Sequence, residues 1–123
     1  MLLKDFYKVE KVEKVSEGKY NAIVYLNNEH DVFNGHFPGN PVTPGVCMMQ
    51  IIKELSQEIV ESSLLMISSS NVKFMALINP DVNPRLRLEL EISGDINTEI
   101  KVKNTTYFDE TVALKLSTTY KKA

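Results

Sequence analysis

The sequence has 123 residues, enough for one domain (1–123) and too few for a second with its own core. Hydrophobic residues make up 43% and charged residues 24%, an ordinary globular balance that excludes a disordered chain. Fourteen basic against sixteen acidic residues give a formal net charge of -2, without the basic excess of a dedicated nucleic-acid binder.

The N-terminal text MLLKDFYKVEKVEK carries charge from Lys4 onward, so no secretory signal is expected. No stretch approaches the roughly 20 apolar residues of a membrane span. The one cysteine cannot form an intrachain disulfide, and a reducing, cytoplasmic setting is the expectation.

In chain order, residues 6 to 27 hold two β-like runs separated by Ser16-Glu17-Gly18, a turn signal. Residues 28 to 45 are crowded with Gly35, Pro38, Gly39, Pro41, Pro44 and Gly45. Each proline fixes its own φ and restricts its predecessor, so this is a loop of defined shape. From Val46 to about Ser62, Met48, Ile51, Ile52, Leu55 and Ile59 recur at spacings of three and four, with Gln50, Glu54, Gln57 and Glu61 on the opposite stripe. That is a helix, with Thr43 as its expected N-cap and Pro44 at its first position.

The remainder reads as strand. Leu64–Ser70 and Val72–Leu77 form one long or kinked segment that ends at Asn79-Pro80. Arg85 to Ile92 alternates perfectly, the mark of a strand with one buried face. Ser93-Gly94-Asp95 is expected to turn the chain into Ile96–Tyr107, and Phe108-Asp109-Glu110 into Thr111–Tyr120. One helix followed by consecutive hairpins predicts an α+β domain, five or six antiparallel strands wrapped around a central helix.

The chemically informative text is Asn34-Gly35-His36-Phe37-Pro38-Gly39-Asn40-Pro41-Val42-Thr43-Pro44-Gly45-Val46. It resembles the signature of the 3-hydroxyacyl-acyl-carrier-protein dehydratases, which share the hot-dog fold. Asn71-Val72-Lys73-Phe74 followed by Asn79-Pro80 is similar to that family's strand and turn after the helix. The resemblance implies elimination of water from a 3-hydroxyacyl thioester, leaving a trans-2-enoyl product in fatty-acid or related acyl-chain biosynthesis. The acyl group would arrive on the phosphopantetheine arm of an acyl carrier protein, the expected partner. No free cofactor is implied, because elimination involves no redox step. It further implies a homodimer, alone or as a trimer of dimers, with the histidine and the acid supplied by different copies.

Such an elimination needs a base for the C2 proton, donors for the enolate-like oxygen, and help for the departing hydroxyl. A histidine titrates in the right range for the base, and by resemblance His36 takes that role. Taken alone, His36 would read as a structural loop residue; its Gly and Pro neighbours favour the catalytic reading. Pro44 has no N–H, so Gly45 and Val46 offer the first free donors at the positive end of the helix. By resemblance they bind the thioester oxygen. Phe33, Phe37 and Met49 are candidates for the acyl-chain wall.

The third component departs from the family. The dehydratases carry Glu or Asp fourteen residues after the histidine, where this chain has Gln50. An amide hydrogen-bonds a hydroxyl but cannot give up a proton near neutral pH. Three explanations compete. Glu54, about 40° round the helix and roughly 6 Å along it, replaces the acid, as in an exchange with the Gln the family commonly has there. Alternatively His36 both takes the proton and returns it, with Gln50 orienting a water. In the third, the chain binds acyl carriers without chemistry, as partner to an active dehydratase. The plainer reading of Glu54, a solvated member of the stripe with Gln57, Glu58 and Glu61, is preferred to the acid role.

Other signals are smaller. His30 and Asp31 read as loop-capping residues, although Asp31 also resembles the acid of hot-dog acyl thioesterases, which makes thioester hydrolysis an alternative activity. Cys47 reads as a small buried hydrophobe before a reactive thiol, and Met48 as core before tunnel lining. No Cys, His and acidic cluster has metal-ligand spacing.

Overall fold

The computed structural model describes residues 5–35 and 41–123. Strands β1 (Tyr7–Ser16) and β2 (Lys19–Leu26) form the first hairpin, and a short 3-10 turn, Asp31–Gly35, follows. Helix α1 (Gly45–Val60) leads into β3 (Leu64–Phe74), β4 (Arg85–Asp95), β5 (Glu99–Phe108) and β6 (Thr111–Lys122). The six strands make one sheet in the order β1-β2-β4-β5-β6-β3, and every pairing is antiparallel. A single long helix packed inside such a sheet is the hot-dog arrangement.

Periodicity explains the packing. In β4 the alternating Leu86, Leu88 and Leu90 point inward and are buried, with Arg87, Glu89 and Glu91 on the other face. Met48, Ile51, Ile52 and Leu55 of α1 meet them, together with Ala22, Val24, Val102 and Leu114 from the other strands. Burying such side chains contributes about 1.5–3 kcal/mol each, the main source of the fold's stability. Two inward positions of β5 are polar and satisfy each other: Thr106 Oγ1 donates to Asn104 Oδ1 (2.9 Å), and Asn104 Nδ2 to the Glu89 carbonyl (3.2 Å). Among the described residues, no helix is long and apolar enough to cross a membrane.

Four boundaries differ from the sequence expectation. Pro44 is extended (φ -62°, ψ 142°) and is itself the N-cap, so the helix begins at Gly45 and Thr43 caps nothing. Thr43 instead donates its backbone N–H to the Ile78 carbonyl (2.9 Å), and its buried hydroxyl has no partner among the described residues. At the other end Glu61 takes the left-handed conformation (φ 55°) that stops the helix, and Gln57 Oε1 accepts from the Leu64 N–H (2.9 Å) at the start of β3. The β4–β5 turn lies at residues 96–98, beyond Gly94, because Gly94 still pairs with Ile100 while Asp95 accepts from the Asn97 and Thr98 N–H groups. Strand β3 ends at Phe74, and its expected kink is at Asn71 (φ 53°), where the register with β6 shifts.

Gly94 combines positive φ (99°) with a backbone that leaves no room: an added Cβ would lie 2.5 Å from the Glu99 carbonyl oxygen. Gly94→Ala is therefore expected to destabilise the fold by about 2–3 kcal/mol, a fall of roughly 8 °C or more in melting temperature. Thermal unfolding followed by circular dichroism checks this.

Candidate active site

The helix start is built as the sequence suggests in one respect. The intrahelical ladder begins with Cys47 and Met48 donating to the Pro44 carbonyl (3.0 and 3.2 Å), so the N–H groups of Gly45 and Val46 stand ahead of it. Both residues line a groove of about 590 Å³ whose walls are mostly apolar. Val46 and Met49 line it from the helix, Phe74 from the end of β3, and Met75, Leu77 and Ile78 from the segment that follows. Met75 and Ala76 are held there by donating their N–H groups to the Ala113 carbonyl.

Gly45 has a packing use besides the donor role expected of its N–H. A Cβ there would come within 2.6 Å of the Phe74 ring, so the glycine makes space for that ring over the first turn. Phe74 remains 60% exposed and is free at its outer edge.

The polar stripe of the helix is not simply solvated. Glu54 is half-buried, and both of its carboxylate oxygens are engaged. Tyr7 Oη donates to Oε1 (2.7 Å) and Gln50 Nε2 to Oε2 (2.8 Å). Burial and the Glu54 carboxylate push the Tyr7 phenol well above its ordinary range, so it stays a donor at neutral pH. Gln50 lies at the edge of a smaller apolar hollow with Val46, Met49, Lys53, Met66 and Tyr120. The solvated-stripe reading of Glu54 is thus corrected: its neighbours are a strand tyrosine and a helix amide.

Phe33 does not line the groove. It is buried and stacks on Phe6 (centroids 5.3 Å apart, 26° between planes), because the 3-10 turn rolls its side chain into the core. His30 supports that turn: its Nδ1 accepts from the Val32 N–H (3.1 Å), and its ring stands edge-on to Phe6 at 5.2 Å. Cys47 is buried, which pushes its thiol upward and away from reactivity. Met48 is core and Met49 is half-buried. His36 and Phe37 lie outside the described residues. Among the described residues, no three His, Cys, Asp or Glu side chains come together as metal ligands would.

Sequence reasoning missed Tyr7, which sits 47 residues from Glu54 and carries no motif. It also missed the role of Phe74 at Gly45, although Phe74 was part of a quoted motif.

The family model described as "ApeI-like: ApeI dehydratase" matches residues 12–113. The chain belongs to the ApeI-like dehydratase family. Among curated proteins, this ApeI-like chain is similar to the 3-hydroxyacyl-[acyl-carrier-protein] dehydratase FabZ of Lactococcus lactis, 32% identical over 93 residues. That match covers 69% of this chain and 60% of the relative. FabZ of Clostridium acetobutylicum is 35% identical over 95 residues, covering 68% of this chain and 64% of that protein. The chain thus spans a little under two thirds of the length of these relatives.

Solved structures agree on the fold. A chain of the dehydratase heterocomplex ApeI:P from Xenorhabdus doucetiae superposes with a TM-score of 0.75 at 21% identity, covering 94% of this chain and 97% of that one. A hypothetical thioesterase from Streptococcus pneumoniae with coenzyme A gives 0.69 at 15% identity, over 99% of this chain and 91% of that one.

Proposed function

We propose that this ApeI-like protein removes water from a 3-hydroxyacyl thioester carried by an acyl carrier protein and forms the trans-2-enoyl thioester. The observation that carries the reading is the helix start. In a chain of a dehydratase family, the Gly35-His36-Phe37-Pro38-Gly39 motif leads to a helix whose Gly45 and Val46 precede the helical ladder and line an apolar groove. Such donors at the positive helix end suit a thioester oxygen that gains negative charge, and the groove suits an acyl chain.

The catalytic roles follow from what each group can do. His36 takes the C2 proton, and the electron pair moves into the thioester carbonyl, whose oxygen rests on the Gly45 and Val46 N–H groups. As the carbonyl re-forms, the C2–C3 double bond forms and the C3–O bond breaks. Gln50 has no proton to donate, and Glu54 accepts two hydrogen bonds instead of offering one. The imidazolium of His36 therefore returns its proton to the departing hydroxyl, which leaves as water and restores the base. Phe37 and Met49 serve as walls for the acyl chain.

A second reading has its own support. Gln50 stands at the family's acid position and Glu54 is occupied, which suits a binding subunit paired with an active dehydratase; the similar ApeI:P structure is a heterocomplex. One assay separates the readings. The protein is given a 3-hydroxyacyl or 2-enoyl thioester and followed at the enoyl absorbance, with a thiol-trapping dye in parallel. Turnover without thiol release is the expected result. A silent protein supports the binding subunit, and thiol release supports the hot-dog thioesterase alternative.

The assembly proposed is a homodimer through β3. This edge strand of eleven residues leaves Leu65, Met66 and Ile67 about half exposed, a surface that a second strand would cover. Light scattering on a sizing column should give twice the chain mass of 14.0 kDa. Ile67→Lys with Val72→Lys should return it to the single-chain mass.

A further inference from the structure

We infer that Glu54 and Tyr7 are positioning residues that fix which arm of the Gln50 amide faces the reacting hydroxyl. The inference rests on the dehydratase reading above and assigns a task to the half of the site where the family's acid is missing.

The argument begins with what each atom can do. An ionised carboxylate only accepts hydrogen bonds, a phenol has one proton to give, and a primary amide has one accepting and one donating arm. Tyr7 Oη lies 2.7 Å from Glu54 Oε1 and gives its proton there. The second oxygen, Oε2, lies 2.8 Å from Gln50 Nε2. Reversing the amide would set its oxygen against a carboxylate oxygen at that distance, two acceptors with no proton between them. The nitrogen is therefore the arm turned to Glu54, and Oε1 is turned away from it. Among the described residues, Oε1 accepts no hydrogen bond.

All three side chains are half-buried, so water competes weakly for these bonds and the preference is held. Tyr7 comes from β1 and the other two from α1, so the orientation is anchored to the sheet and does not depend on the helix alone. What Gln50 presents is a fixed acceptor. A 3-hydroxyl group donates its own proton to that acceptor and leaves its oxygen lone pairs open to receive the proton returned by His36. An amide in the opposite orientation would donate to those lone pairs and compete with that transfer.

The test is a polarity series at one position. Glu54→Gln makes the partner ambivalent, so the carbonyl-outward population falls to about half and kcat drops about twofold. Glu54→Lys makes the partner donor-only and inverts the amide; kcat then falls about tenfold with KM within about twofold, the size expected for one lost hydrogen bond. In a Gln50→Leu background neither change should lower kcat further. A collapse in Glu54→Gln as deep as in Glu54→Lys, or equal losses in both backgrounds, overturns the inference, because a proton-donating Glu54 would behave in that way.

A second measurement needs neither turnover nor the lysine variant to fold. The Gln50 side-chain amide proton bonded to Glu54 should resonate downfield in a nitrogen–proton correlation spectrum and move in Glu54→Gln and in Tyr7→Phe. Signals that ignore both substitutions overturn the positioning. Silence of the wild type in the absorbance assay, with these shifts present, overturns the dehydratase reading instead.

Discussion

His36→Ala is expected to abolish turnover of a 3-hydroxyacyl thioester, with kcat lower by about a thousandfold or more. Base catalysis by a positioned imidazole supplies about 10² to 10⁴ in rate, and here one imidazole would carry two transfers: proton removal and proton return. The loss should therefore lie toward the upper part of that range. Because His36→Ala leaves the Gly45 and Val46 donors and the apolar groove residues Val46, Met49 and Phe74 in place, a non-reactive thioester analogue should still bind the variant within a few-fold of the wild type. Calorimetric titration of that analogue beside the absorbance assay separates the two effects. A variant that keeps a tenth of its turnover would place the base elsewhere.

Gln50→Glu is expected to raise kcat about a hundredfold by supplying the proton donor that the helix lacks. The new carboxyl would sit where the amide now lies, 2.8 Å from Glu54 Oε2. Two carboxylates at hydrogen-bond distance cannot both ionise easily, so they share a proton and one titration is raised. Tyr7 already donates to Glu54, which favours the charge on Glu54 and the proton on the new side chain. The sign follows directly. The donor is protonated below its raised pKa, so the gain is present at lower pH and disappears as pH rises through that value. Adding Glu54→Gln removes the neighbouring charge and should move the decline to lower pH. A rate profile for the single and double variants checks both statements, and a decline that stays in place would show that the two positions do not interact.

Much of the fold was legible because it depends on periodicity. The three-and-four spacing of Met48, Ile51, Ile52 and Leu55, and the alternation of Leu86, Leu88 and Leu90, name the buried faces without coordinates. Boundaries were less legible. Thr43 has the composition of a cap, but the extended Pro44 moves the helix start past its reach. Gly94 has the composition of a turn, yet it sits in paired strand. In the site, the free donors at Gly45 and Val46 follow from the helix start that the Pro44-Gly45 pair signals, since the first N–H groups of any helix lack an intrahelical acceptor. Glu54 and Phe33 show the opposite case. A carboxylate on a polar stripe reads as solvated until a tyrosine from another strand lies over it, and an aromatic before a motif looks the same whether it lines a groove or fills the core. Both depend on contacts between elements, which no local pattern records.

The proposed pairing of two copies through the β3 edge would also tie stability to concentration. The strand's half-exposed Leu65, Met66 and Ile67 form a surface only when the sheet is folded. Whatever chain is laid along it binds the folded form and not the unfolded one. By mass action such a partner draws the equilibrium toward the fold, and about a hundredfold excess over its dissociation constant adds roughly 2.7 kcal/mol. Melting midpoints should then climb as the solution is made more concentrated, and a dilute sample should melt first.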